Sequence, residues 1–423
     1  MRQRNEVKAD PPGVPARRAA LRLLDAVLRR GQALESALES AGQGLAPNDR
    51  GLAHAIAAET LRRLPDLDAL IDSATRQRLP DDAKARFTLR IALVQALGLG
   101  TPPHAAISTV LPLVDGGPRK LVHGVFGTLM RAKTGLPDQP TLPDPVAIRW
   151  HAAWGDDFIA DAERAIAAPP PIDLTLKGSA APDLPGTSLL PGHLRLEERE
   201  RVTALEGFAE GDWWVQDLAA SMPARLLGPG RGSALDLCAA PGGKTLQLAA
   251  AGWDVTAIDI SESRLARLAE NLNRTGLTAR IVTADLLQWQ PREQADAVLL
   301  DAPCSATGIF RRHPDVLHRV RPPLIAEMAA LQAKLLARAA KWVKPGGTLV
   351  YATCSLEPAE GEFQLAGFLA ANSGFAIEAI RAEELPETVA PLANGTLRTR
   401  PGMLADKGGL DGFFIARLTR VSP

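Results

Sequence analysis

Apolar residues in the first third of the chain recur at helical spacing. Ala20, Leu21, Leu24, Val27 and Leu28 share one face of the segment from Ala16 to Arg30. Asn48 and Asp49 offer an N-cap ahead of Leu52, Ile56 and Leu61, and Asp81 with Asp82 opens a further helix through Phe87, Ile91, Val94 and Leu97. Ala105 to Val114 and Lys120 to Lys133 continue the pattern, separated by short breakers at Pro65, Pro80, Gly100 to Pro103 and Gly116 to Pro118. No polar–apolar alternation of the strand type interrupts it. Residues 1–137 are predicted to form an all-α helical bundle.

The pattern then changes twice. Residues 138–145 (D-Q-P-T-L-P-D-P) predict a stiff linker. Val146 to Ala168 carries Trp150, Trp154, Phe158 and Ile166 at helical spacing, and Pro169 to Pro171 ends it. Ile172 to Lys177 and Gly192 to Leu196 predict short strands, so 146–212 is expected to be a small α+β subdomain suited to gripping substrate. Trp213 and Trp214 could stack on bases, but such a pair more often seals the start of a domain, and that reading is favoured. From Ser233 the chain alternates strand, glycine turn and helix. Strands are expected at Ser233 to Leu237, Val255 to Ile258, Ala279 to Thr283, Ala297 to Leu300 and Thr348 to Ala352, with two more at Phe375 to Ile380 and Phe413 to Leu418. Helices are clearest at Arg264 to Asn273 and Leu324 to Val343. Residues 213–423 thus predict an α/β doubly wound domain.

Composition narrows the possibilities. At 423 residues, 46% hydrophobic and 23% charged, the chain is an ordinary globular protein of two or three domains. Aromatics are only 4%, so stacking is not the main mode of recognition. No apolar run reaches membrane-span length, and the polar stretch from Met1 to Asp10 is no signal peptide, so a cytoplasmic protein without membrane contact is expected. Residues 1–137 carry 20 Lys+Arg against 13 Asp+Glu, or +7, while the remainder carries 28 against 35, or −7. A basic front half suits a polyanion partner, and Arg-rich solvated helix faces explain it equally well.

The chemistry gathers at the predicted strand ends. Strand one runs into Cys238, Ala239, Ala240, Pro241, Gly242, Gly243 and Lys244. Small residues let a ligand approach the backbone, and amides at a following helix start bind carboxylate or phosphate. Asp259, sixteen residues beyond Gly243, can hydrogen-bond both hydroxyls of a ribose; Asp285 can reach an adenine edge; Asp301 ends strand four. Gly243-Lys244-Thr245 imitates the end of a P-loop, but Cys238 stands where the earlier glycine is required, and the dinucleotide fingerprint is absent. S-adenosylmethionine (SAM) fits better, because its carboxylate and methionine tail need small residues rather than a pyrophosphate cradle.

Three cysteines, Cys238, Cys304 and Cys354, follow strand-like runs. Their spacing fits no zinc pattern, so no metal site is expected. Cys304 follows Asp301 on one strand-end turn, and Cys354 ends the adjacent strand fifty positions later. Neighbouring strands lie roughly 5 Å apart, so both thiols can face one substrate. A redox pair would leave Asp301 unexplained, and C-x-x-C is absent. Pyrimidine C5 chemistry uses all three: a thiolate adds at C6, an acid at N3 stabilises the adduct, and a base removes the C5 proton after methyl transfer. Arg311, Arg312, His313 and Arg319 follow the cysteine turn and would meet phosphates beside it.

Three stretches carry a resemblance: L-D-L-C-A-A-P-G-G-K (235–244), D-A-P-C-S-A-T-G-I-F-R-R-H-P-D (301–315) and Y-A-T-C-S (351–355). The chain resembles the RsmB/Sun family of bacterial 16S rRNA cytosine-5 methyltransferases. T-P-P-H-A-A-I (101–107) and K-L-V-H-G-V-F (120–126) resemble the NusB-like domain that precedes some of them. The resemblance implies a class I SAM-dependent methyltransferase domain, Cys354 as nucleophile, Cys304 as the thiol assisting product release, and Asp301 at the cytosine and the cofactor. It implies SAM binding by 238–244, Asp259, Asp285 and Asp301. It implies an RNA partner, small-subunit rRNA, and no DNA; a monomer is expected. NusB-like domains bind RNA or protein, and a purely supporting role weighs nearly as much. A tRNA cytosine-5 methyltransferase and an inactive RNA-binding assembly factor are the rival readings. His123 stands where the family more often has Asn, and Glu360 is followed by Gly361 where the family usually has Asn after the acid.

Overall fold

The structure, a computed structural model, describes residues 10–167, 169–178, 182–198 and 201–421. Ala168, the last residue of one expected helix, and residues 1–9 of the polar N-terminal stretch lie outside it. The chain forms two compact units. The described residues of the first are 10–149, 162–167 and 312–320, and those of the second are 150–161, 169–311 and 321–421.

The first unit holds α1 (Val14–Leu28), α2 (Leu34–Ala41), α3 (Pro47–Arg62), α4 (Leu64–Ser73), α5 (Lys84–Leu97), α6 (Pro103–Val110) and α7 (Gly116–Arg131). On α1, Ala20, Leu24 and Val27 of the expected stripe are buried together with Ala16, Ala19 and Leu23, whereas Leu21 and Leu28 are only partly buried. Every residue of α5 from Ala85 to Gln95 is buried, so α5 runs through the core. Local chemistry moves two helix starts from their expected places. Pro47, whose fixed φ suits a first helical turn, begins α3, so Asn48 and Asp49 lie inside it. Asp81 pairs with Arg78 at 2.8 Å, and α5 begins later, at Lys84.

The proline-rich stretch is packed rather than free. Asp66 accepts from Thr141 N at 3.2 Å and Thr141 Oγ1 at 2.7 Å, and Leu142 is 1% exposed. Part of the basic surplus is internal. Arg86 and Arg90, both buried, make two-pronged pairs with Asp72 (2.7 and 3.0 Å) and Asp68 (2.8 and 2.8 Å). Neither a polyanion surface nor a solvated face accounts for those two guanidinium groups.

Helices α8 (Asp144–Trp154) and α9 (Asp156–Ile166) replace the single helix expected there. Gly155 separates them with φ +83°, a left-handed conformation that glycine adopts without a Cβ clash. In the second unit, β1 (Asp173–Leu176), β2 (Gly186–Thr187), β3 (His193–Leu196) and β4 (Trp213–Val215) form an antiparallel sheet in the order β2-β3-β1-β4. Trp213 and Trp214 are buried in β4, their indole N–H groups donating to Glu206 O at 2.9 Å and Gln216 Oε1 at 2.8 Å. They seal the sheet and offer no face to a base. Asp173 fastens this sheet to the next helix. It takes both prongs of Arg195 and accepts from Leu218 N at 3.0 Å, at the start of α10 (Leu218–Arg225).

The main sheet is doubly wound, as expected. Its elements are β5 (Ser233–Leu237), α11 (Gly243–Ala250), β6 (Asp254–Asp259), α12 (Glu262–Thr275), β7 (Arg280–Thr283), β8 (Ala295–Asp301), α13 (Val316–Arg319), α14 (Pro322–Lys341), β9 (Val343–Thr353), α15 (Glu362–Ala371), β10 (Phe375–Ile377), β11 (Leu397–Arg398) and β12 (Phe414–Arg420). The strand order is β10-β12-β9-β8-β5-β6-β7, with β11 on β12. The five strands from β9 to β7 are parallel, and β12 runs antiparallel on β9. The order reverses between β5 and β8, the switch point where such sheets open a crevice at their carboxyl ends. Residues 312–320, which include α13, belong to the first unit. There Asp315 Oδ2 accepts from Leu34 N at 3.3 Å and from Arg319 Nε at 2.8 Å.

Breaking a buried ion pair by removing one partner strands the other. We expect Arg86→Ala to cost about 3 kcal/mol in urea unfolding followed by circular dichroism. Arg29→Ala, which removes an exposed pair with Asp25, should leave the midpoint unchanged.

Candidate active site

The crevice is built from strand ends, beginning with β5. Asp236 on β5 is fully buried and accepts from Thr245 Oγ1 at 2.5 Å; burial pushes its carboxyl up to about 7. Cys238 comes next, in the left-handed region (φ +61°). Burial raises its thiol, and the nearby Asp301, Asp259 and Asp236 carboxylates raise it further. Gly242, at φ +113°, caps α11, and a Cβ there would run into Leu268; a Cβ on Gly243 would crowd Gln216.

Asp259, at the end of β6, is buried and accepts from Ala240 N at 3.1 Å and Ser261 N at 2.9 Å, one bond on each oxygen. Each oxygen keeps acceptor capacity for a hydroxyl. Asp285, half-exposed after β7, accepts from Leu287 N at 2.8 Å and Gln288 Nε2 at 3.3 Å. Ile260, next to Asp259, is 70% exposed, and its apolar side chain is free to lie against a flat ring. Sequence reasoning missed it, although a hydrophobe directly after the strand-end acid was the available signal. These groups fit a SAM-like nucleoside: small residues at the turn, carboxylates for hydroxyls and amine, and an apolar surface beside them. Lys244, the cation a phosphate cradle would use, is turned elsewhere.

Lys244 Nζ lies 2.6 Å from Asp301 Oδ2. Burial would depress the ammonium, but Asp301 outweighs it, and with Cys354 and Asp236 holds the Lys244 pKa above its ordinary value. The side chain of this expected cofactor residue therefore stands with Asp301. The ends of β8 and β9 bring Cys304 and Cys354 together, Sγ to Sγ 3.4 Å, and both remain half-buried. The Cys354 thiol, then burial, then the Glu360 carboxylate push Cys304 well above the ordinary thiol range. Gly308 N donates to Cys354 O at 3.0 Å and Gly412 N to Gly308 O at 2.9 Å, which ties the two turns.

The basic residues after the turn are a correction. Arg311 is buried, donating to Gly408 O and lying 3.5 Å from Asp411, and Arg319 pairs with Asp315. A buried guanidinium has to find internal acceptors, and Arg311 has done so, while the half-buried Arg319 is engaged by Asp315. Arg312 and His313 are half-buried, and burial lowers the His313 pKa. Gly361 has a local reason: a Cβ there would collide with Arg398 and Phe414, and α15 starts directly after it. Sequence reasoning also missed Asp236, Gln332 and the part played by Glu360. Each is a polar residue in an apolar setting, but only the fold shows what it touches.

Comparison with known proteins agrees with this geometry. The model of the family described as 16S rRNA methyltransferase RsmB/F matches residues 225–419, and that of the NusB family matches residues 14–128. Ribosomal RNA small subunit methyltransferase B from Salmonella arizonae is 34% identical over 449 residues, covering 96% of this chain and 98% of the relative. The protein of the same name from Klebsiella pneumoniae is 34% identical over 444 residues with the same coverage. Among solved structures, PH0851 superposes with a TM-score of 0.74 at 23% identity, covering 97% of this chain and 99% of that one. NSun6 from Pyrococcus horikoshii, solved with SFG, gives 0.57 at 20% identity, covering 67% of this chain and 99% of its own; these two likenesses concern the fold.

The raised Asp236 carboxyl has a pH consequence. Below about 4 both folded and unfolded chains hold its proton. Between there and about 7 only the folded chain does, so this group's contribution to stability is lost as pH rises through that window. Asp236→Asn should gain on the native protein by several degrees in Tm between pH 4.5 and 7.5, measured by calorimetry. A pH-independent difference would contradict it.

Proposed function

The chain belongs to the 16S rRNA methyltransferase RsmB/F family, and from that premise we propose that it methylates C5 of a cytosine in small-subunit rRNA through a covalent adduct on Cys354. The observation that carries the reading is the thiol pair, 3.4 Å apart at adjacent strand ends, beside the Asp301–Lys244 pair at the switch point of the sheet. C5 of cytosine is too weak a nucleophile to take a methyl group directly. Addition of the Cys354 thiolate at C6 pushes electrons through the ring and makes C5 an enamine carbon. SAM, when bound, supplies the electrophilic methyl group.

The residues then divide the work. Residues 238–244 and Asp259 hold the cofactor tail and ribose, and Asp285 the adenine edge. Lys244 occupies Asp301 Oδ2 and keeps that carboxylate in place. Asp301 Oδ1 is assigned to the N3–N4 edge of the cytosine, where it holds the N3 proton of the adduct. For release, the C5 proton must leave and the C6–sulfur bond must break. Cys304, within reach of Cys354, gives its proton to the departing sulfur and takes the C5 proton in exchange.

Two rivals weigh less. The relatives over the whole chain are named for small-subunit rRNA, which favours rRNA over tRNA. Both cysteines, Asp301 and Lys244 stand together, which favours an enzyme over an inactive assembly factor. A target cytosine has to be unstacked for a thiol to reach C6, so a deformable or single-stranded segment is the natural substrate. Among the described residues no helix is long and apolar enough to cross a membrane.

Cys354→Ala should lower turnover by at least about 1,000-fold. Cys304→Ala should instead accumulate a covalent RNA–protein complex that survives denaturing gel electrophoresis. An active Cys354→Ala together with a simply dead Cys304→Ala would reverse the roles. Bisulfite sequencing of rRNA and tRNA from a deletion strain should show a lost rRNA site and unchanged tRNA.

A further inference from the structure

Glu360 is fully buried, and every contact of its carboxylate leads to the thiol pair. Oε1 accepts from Ser305 N at 2.8 Å and Gln332 Nε2 at 3.1 Å. Oε2 accepts from Ser355 Oγ at 2.5 Å and from Ser305 Oγ. The Glu360 backbone carbonyl accepts from Tyr351 OH at 2.8 Å and Thr353 Oγ1 at 3.1 Å. Ser305 and Ser355 are the residues directly after Cys304 and Cys354. Gln332, on α14, also donates to Pro303 O at 2.9 Å. Cys304 is thus gripped on both sides, at Pro303 O by Gln332 and at Ser305 N by Glu360. Cys354 is gripped through Thr353 and Ser355.

We propose that Glu360 is a positioning residue for methyl transfer: its carboxylate ties the turn bearing Cys304 to the turn bearing Cys354, setting their spacing and making the two thiols unequal. A buried carboxylate is costly unless its acceptor sites are filled. Here the partners are one backbone N–H, one amide and two hydroxyls, all able to donate. Such a group stays in one place, and so do the turns it holds. The inequality follows from charge. Cys304 is faced by Cys354, Glu360 and Tyr351, none of them cationic, and Glu360 opposes its ionisation. Cys354 has Lys244 as a near charge, with Asp301 behind it. This inference rests on the cysteine roles proposed above, and it explains why two identical side chains at one site do different work.

The test uses the full-length protein without RNA, so it does not depend on which cysteine attacks. Iodoacetamide alkylation is followed from pH 6 to 10, with Cys304 and Cys354 read separately by peptide mass spectrometry. In Glu360→Gln, checked for folding by its melting transition, the Cys304 midpoint should fall by about one pH unit. In parallel, kcat on 16S rRNA should fall about 100-fold, with KM for SAM within about twofold, as for a misplaced catalytic group. A folded Glu360→Gln with a native Cys304 profile and native kcat overturns the proposal. If Glu360→Gln does not fold, Ser305→Ala decides. It keeps the charge and removes one tie, so the Cys304 midpoint should stay while kcat falls about tenfold; a native kcat overturns the proposal. A shifted profile in Glu360→Gln, with no adduct from Cys304→Ala, would retain the positioning role and sink the role assignment instead.

Discussion

Parallel pairing of β8 with β9, with Asp301 opposite Ala352, is the constraint on which the catalytic end depends. Side chains that leave neighbouring strands at the same level are neighbours in space, whatever their separation in sequence. Three residues past one partner stands Cys304, and two past the other stands Cys354. The register alone brings the turns side by side. The 3.4 Å between the sulfurs then needs local ties, which Gly308 supplies through the backbone and Glu360 through its carboxylate. A one-residue slip would move each of Val298, Leu299 and Leu300 to the opposite buried face of the sheet and against the wrong packing partners, so the core that stabilises the domain also protects the register.

Around that pairing the domain keeps several ionisable groups out of water, and each is handled differently. Asp173 is offset by a two-pronged arginine and a helix start, and its carboxyl lies well below the usual range despite burial. Asp236 has one strong hydroxyl partner and is pushed up instead. Asp301 and Lys244 hold one another, and Glu360 is filled by neutral donors. The contrast between the first two follows from their partners: Asp173 has Arg195 and His193 against it, whereas for Asp236 burial outweighs the Thr245 hydroxyl and the more distant Lys244.

Much of this was legible before the fold was known. The glycine turn, the strand-end acids, Cys304 and Cys354 follow short apolar runs, because parallel strands buried on both faces leave that signature. The helices that line the bundle core were legible from their stripes, but α2 and α4 were not. They have 8 and 10 residues, too short for a periodicity to stand out, and they persist because the bundle buries one side of each. The basic residues misled for a related reason. Arg86, Arg90 and Arg311 read as surface charge, and their partners lie 14, 22 and 100 positions away or are backbone carbonyls.

By itself the sequence determined the kinds of side chain available at each strand end, and with them the class of reaction, because residue type and local spacing are properties of the chain. Tertiary structure decided which of those groups act on one another. It paired Lys244 with Asp301, and it made Glu360 a tie between two turns. It also gave Cys304 an anion and Cys354 a cation for company. The physical reason is range: hydrogen bonds and desolvation act over a few ångströms, and only the packed sheet brings residues fifty positions apart within that distance.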